Sequence, residues 1–139
     1  MHDRLEAIAA KLANVPQVII AGGPRSGKTS LALVMGERGG RAVHHADSLI
    51  GSYEWSDASA EVATWFDRPG AWIVEGVCVP RALRKWLPTE KLFTGVVVYL
   101  PHAIQQRSPG QETMAAGVDT VWSAILPELE RRGIVAMVG

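Results

Sequence analysis

A single cysteine, Cys78, leaves the 139-residue chain without an internal disulfide framework. Net charge of either sign is missing as well. The 14 basic and 14 acidic side chains cancel, so no global field advertises a polyanionic partner, although a local basic patch remains compatible with neutrality. No stretch approaches the roughly 18 uninterrupted apolar residues of a membrane-spanning helix. The first residues, MHDRLEAIAAKLANV, lack the long uncharged apolar run of a secretory signal. Internal repeats, low-complexity tracts and a linker are absent too. What remains is 47% apolar, enough for one compact core and short for two. The expectation is one domain over residues 1–139, cytoplasmic, with no membrane partner, as a monomer or homodimer.

Apolar periodicity divides the chain. Leu5, Ile8, Leu12 and Val15 recur at helical spacing and predict an amphipathic helix ending near Pro16. Four short apolar runs read as buried strands: 17–21, 71–75, 95–100 and 134–138. A fifth, RAVHHA over 41–46, is weaker. Helical signals fill the gaps at 28–38, 57–66, 80–87 and 110–132. In the last of these Met114, Val118, Val121, Trp122, Ile125 and Leu129 form one apolar stripe, with a kink expected at Pro127. Strands alternating with helices call for an α/β fold, a parallel sheet covered on both faces.

The first of these strands runs into AGGPRSGKTS. Gly22, Gly27, Lys28 and Thr29 match G-x-x-x-x-G-K-[ST] between a buried strand and a helix, which is the context the motif requires. Glycines let the backbone curl so that its N–H groups point at an anion, and the helix N-terminus adds its positive dipole end. The expected nucleotide-binding segment is therefore Gly22, Gly23, Pro24, Arg25, Ser26, Gly27, Lys28, Thr29 and Ser30. Lys28 would reach the β- and γ-phosphates of ATP, and Thr29 would place its hydroxyl on Mg²⁺. Arg25 reads as a solvated loop residue.

Two acids stand where ligands bind in open α/β sheets, at the carboxyl ends of strands. Glu75 closes the run AWIVEG and is placed to serve Mg²⁺, or alternatively to cap the next turn. Asp47, in HHADSL, is placed to take a proton from an attacking hydroxyl, or alternatively to form an Asx-turn.

GGPRSGKTS, the acid after the second strand and IVEG at the end of the third together resemble the small P-loop kinases of the nucleoside, nucleotide and shikimate kinase group. The resemblance implies a three-layer P-loop NTPase fold with five parallel strands in the order 2-3-1-4-5. It also implies that Asp47 orients or deprotonates the acceptor hydroxyl, that Glu75 lies near the metal, and that Arg107, in IQQRSPGQE, is the arginine of a lid. Only residues 48–70 separate the second strand from the third, which implies a shallow, open acceptor side. With the sequence stopping at the fifth strand, the adenine-contacting loop of the group is expected to be absent or replaced.

An open acceptor side admits a base belonging to a polymer. The layout resembles the phage-type P-loop kinases that phosphorylate 5-hydroxymethyluracil within DNA. In VPRALRKWL, Arg81, Arg84 and Lys85 fall within about a helical turn of one another and could hold acceptor phosphates, or could simply form the solvated face of a helix whose Ala82, Leu83, Trp86 and Leu87 are core. Trp55, Trp65 and Trp86 offer stacking faces, although tryptophans belong more often to the core. His44 and His45 would face opposite sides of a strand and so read as structural, not as one metal site. Cys78 reads as a small apolar filler, and His102 as a loop residue. The expected activity is ATP- and Mg²⁺-dependent transfer of the γ-phosphate to a hydroxyl of a nucleoside-like acceptor, free or in DNA. The alternative is an ATPase or nucleotide-binding regulatory module with no acceptor.

Overall fold

The computed structural model describes residues 2–139. Helix α1 (His2–Lys11) leads into β1 (Gln17–Gly22), α2 (Lys28–Gly39) and β2 (Ala42–His45). A 3-10 turn (Ala46–Leu49) then precedes α3 (Trp55–Trp65), β3 (Trp72–Gly76), α4 (Val79–Trp86) and a second 3-10 turn (Leu87–Thr89), followed by β4 (Val96–Leu100), α5 (Pro109–Arg131) and β5 (Val135–Val138). The five strands form one sheet in the order β2-β3-β1-β4-β5, every pair parallel. This is the expected order.

The central strands β1, β3 and β4 are buried on both faces, which is why they read as unbroken apolar runs in place of an alternating pattern. Val18, Ile20, Ile73 and Val98 meet Leu5, Ile8, Leu31 and Met35 from α1 and α2 on one face. Ile19, Val74 and Val97 meet Val62, Leu83, Trp86, Trp122 and Leu129 from α3, α4 and α5 on the other. β2 and β5 are the edges and carry mixed burial, so their sequence signal is the weakest.

Some details depart from expectation. α1 stops at Lys11, short of Pro16, and a turn in which the Val15 N–H donates to Leu12 O at 3.1 Å fills the gap. α5 continues through Pro127 to Arg131, held by buried Ile125 and Leu129 on either side of the proline. Met114 leaves the stripe that buries Val118, Val121 and Trp122 and is 38% exposed. Arg41 is buried, an unforeseen feature: its guanidinium donates to Leu12 O at 3.0 Å, Val15 O at 2.7 Å and Met35 O at 3.1 Å. One cation thereby ties the turn that follows α1 to the carbonyl of Met35 in α2.

Candidate active site

The turn from β1 into α2 has the backbone an anion requires. Gly27, at φ +92°, is in the left-handed region that glycine adopts at least cost, and as N-cap of α2 it brings no side-chain acceptor. The first N–H groups of α2 are thereby left for a ligand. Residues 25–30 with Ile104 and Gln105 line a cavity of about 170 Å³ there. Lys28 is buried, and its Nζ donates to Gly23 O at 3.1 Å. Burial lowers its pKa from the ordinary lysine value, Asp47 and Glu75 pull it back up, and Arg107 adds to the lowering.

Glu75 is 2% exposed. Its Oε2 accepts the Thr29 hydroxyl at 3.0 Å and lies 2.5 Å from His45 Nδ1, while Oε1 is buried without a partner. An orphaned carboxylate oxygen beside a threonine hydroxyl is a donor set that suits a hard, oxygen-seeking cation, so the residues present fit Mg²⁺. Asp47 stands in the 3-10 turn after β2, and its Oδ1 accepts the Val77 N–H at 2.8 Å. Burial raises its pKa from the ordinary aspartate value. Lys28 and the Val77 hydrogen bond oppose the rise, Glu75 adds to it, and His45 opposes it more weakly. Gly76 makes this approach possible, because a Cβ there would lie 2.8 Å from Asp47 Oδ1.

Arg107 comes from the β4–α5 connection and folds back on the phosphate turn. Its Nε donates to Pro24 O at 2.6 Å, and its Nη2 is buried without a partner. Arg25 is exposed, as expected, yet it is not a free loop residue: its guanidinium donates to Gln111 Oε1 at 3.2 Å and Gln105 Oε1 at 3.1 Å. The Ile104 N–H donates to Arg25 O at 2.8 Å. The two loops are therefore fastened together, with Gln111 also completing a capping box with Ser108 at the start of α5.

Beside the cradle, a cavity of about 380 Å³ is bounded by Lys28, Asp47, Trp55, Val77 and Met114. A larger one, about 540 Å³, lies between α3, α4 and α5 and is walled by Arg81, Arg84 and Lys85. Trp55 and Met114 line both. The Arg81 guanidinium sits 4.9 Å from the Trp55 ring centre, and Lys85 Nζ donates to the Ser56 carbonyl and hydroxyl at 2.8 Å each. In α4 Ala82, Leu83 and Trp86 are core, with Leu87 buried just after it, while Arg81, Arg84 and Lys85 line the cavity. Trp65 and Trp86 are core, whereas Trp55 is not. Cys78 is wholly buried, and its thiol pKa is pushed up to about 12, by burial first and then by Asp47. His102 is exposed.

No protein-family model matches the sequence, and no curated protein does. Among solved structures, a shikimate kinase from Acinetobacter baumannii in complex with shikimate aligns with a TM-score of 0.60, covering 94% of this chain and 87% of that one at 13% identity. The fold is that of a small P-loop kinase.

Within that P-loop kinase fold, sequence reasoning missed His45 as a neighbour of the cradle acid. A signal existed: His45 and Glu75 are register partners on adjacent parallel strands, and such partners project to the same face. His44 points the other way, its ring 6.0 Å from that of Trp65, so the two histidines do separate as expected. Among the described residues, no helix is long and apolar enough to cross a membrane.

Proposed function

We propose that this protein is an ATP- and Mg²⁺-dependent kinase that phosphorylates a hydroxyl of a nucleoside-like acceptor, free or within DNA, with 5-hydroxymethyluracil in DNA the sharpest single candidate. The observation that carries the reading is the pair of cavities sharing Trp55 and Met114: one ends at Asp47 and Lys28, the other at three cations. An acceptor whose base stacks on Trp55 would turn its hydroxyl toward Asp47 and its phosphates toward Arg81, Arg84 and Lys85.

In this mechanism the N–H groups of residues 26–30 and Lys28 hold the β- and γ-phosphates. The unpartnered Nη2 of Arg107 supplies a further buried cation for charge on the phosphoryl group. Thr29 and Glu75 would hold Mg²⁺, which supplies charge neutralisation on the phosphate oxygens. Asp47 uses Oδ1 on Val77 and keeps Oδ2 for the acceptor O–H. As the acceptor oxygen bonds to the γ-phosphorus, its proton passes to Asp47, the bond from the γ-phosphorus to the β,γ-bridging oxygen breaks, and ADP leaves.

The test is transfer of labelled γ-phosphate to nucleosides, nucleotides and hydroxymethylated DNA. Label on any of these supports a kinase and names its acceptor. ATP hydrolysis unaffected by every acceptor would replace the kinase with an ATPase.

A further inference from the structure

Glu75 has more holding it than a metal ligand needs. The Thr29 hydroxyl and the His45 ring both meet Oε2, at 3.0 and 2.5 Å, and neither touches Oε1. A carboxylate can turn about its last bond, and a partial turn would swing the free oxygen away from the cation. Two donors on one oxygen prevent that rotation and leave the other oxygen free. Thr29 can donate its hydrogen to Oε2 and still offer oxygen lone pairs to a metal, so its hydrogen bond is compatible with ligation. His45 has no place in the proposed chemistry. Its contact is fixed by the sheet itself, because β2 and β3 pair with His45 opposite Glu75.

We propose that His45 is a positioning residue for the magnesium site: its Nδ1–H clamps Glu75 Oε2 so that Oε1 is presented to the cation bound at Thr29. This rests on the metal role given to Thr29 and Glu75 above. The group that matters is an N–H donor three bonds from the Cα. Asparagine carries one at that distance, glutamine carries it one bond too far, and phenylalanine fills the ring's volume with no donor. Holding a ligand from the shell outside the metal is a familiar role for such contacts, and its loss weakens metal binding by about ten- to a hundredfold.

The experiment measures Mn²⁺ binding to the full chain with ADP present, by the loss of the free-ion electron paramagnetic resonance signal, alongside ADP binding without metal. His45→Asn should bind Mn²⁺ within about threefold of the unaltered chain. His45→Phe and His45→Gln should bind it at least about tenfold more weakly. Metal-free ADP affinity should be the same in all of them, which also reports that each variant is folded. Should His45→Phe fail that check, His45→Ala takes its place. Unchanged Mn²⁺ affinity in the donor-less variant overturns the proposal, as does an asparagine variant as weak as the phenylalanine one. Glu75→Gln separates the levels: unaltered Mn²⁺ affinity there would remove Glu75 from the metal altogether, whereas weakened binding there with no effect at position 45 would refute the clamp alone.

Discussion

Asp47 Oδ1 accepts the Val77 N–H at 2.8 Å, tying the acid that follows β2 to the backbone leaving β3. The bond fixes one carboxylate oxygen and frees the other, and it survives in Asp47→Asn, whose amide oxygen can accept the same N–H. That variant should therefore fold and lose about a hundredfold or more in kcat/KM. Burial raises the Asp47 pKa, so the acid limb of the rate profile should lie above the ordinary aspartate range and vanish in the variant. The stability consequence has the opposite sign. A carboxyl with a raised folded pKa contributes stability below its unfolded pKa and loses that contribution as pH rises through the folded value. At neutral pH Asp47→Asn should thus melt higher than the unaltered chain, and thermal melts at pH 4 and pH 7 would check this.

Lys28→Ala should retain the fold and lose about a hundred- to a thousandfold in turnover, since Nζ would neutralise charge on the transferring phosphoryl group. Lys28→Arg should not restore it. The planar guanidinium does not fit a buried site shaped for a point charge against Gly23 O. Wild-type turnover in either variant would contradict the placement of the γ-phosphate.

Replacing Arg81 and Arg84 together by alanine should raise the acceptor KM several-fold and leave ATP affinity nearly unchanged, because both line the larger cavity and neither lines the cradle. With a DNA acceptor, each lost phosphate contact should also lower the salt slope of binding by about one. A salt-independent KM would indicate a free small-molecule acceptor.

Arg41→Met should destabilise the fold by about 3 kcal/mol, as three carbonyls lose a charged donor in a largely buried site. Arg41→Lys should recover only part of this, since a single ammonium cannot span all three acceptors. Chemical denaturation of the two variants measures both values.

The phosphate turn was legible in the sequence because its chemistry is local: glycines, lysine and threonine at fixed spacing between a strand and a helix. The central strands were legible because burial on both faces leaves them almost wholly apolar, so that the one buried charge among them, Glu75, stood out. Edge strand β2 was faint for the opposite reason, exposing Ala42 and carrying two histidines. Met114 fits the helical stripe by spacing, but it lies in the part of α5 that walls the two cavities and lines both of them. Arg41 and Arg25 could not have been read at all. Their partners lie up to 29 and 86 residues away in the chain, and nothing in either residue's neighbourhood marks it as bound.

Cys78 bears on how the β4–α5 loop can be observed. Enclosed within the fold, with a thiol pKa near 12, it carries almost no thiolate at neutral pH and will not react with maleimides or iodoacetamides while the chain is folded. The protein thus arrives chemically mute to sulfur-directed labels. A cysteine introduced at exposed position 106, as Gln106→Cys, would take up a fluorophore alone, next to Arg107 and with no native thiol to remove first. Nucleotide arrival at the cradle could then be followed in real time as a change in emission from a single dye.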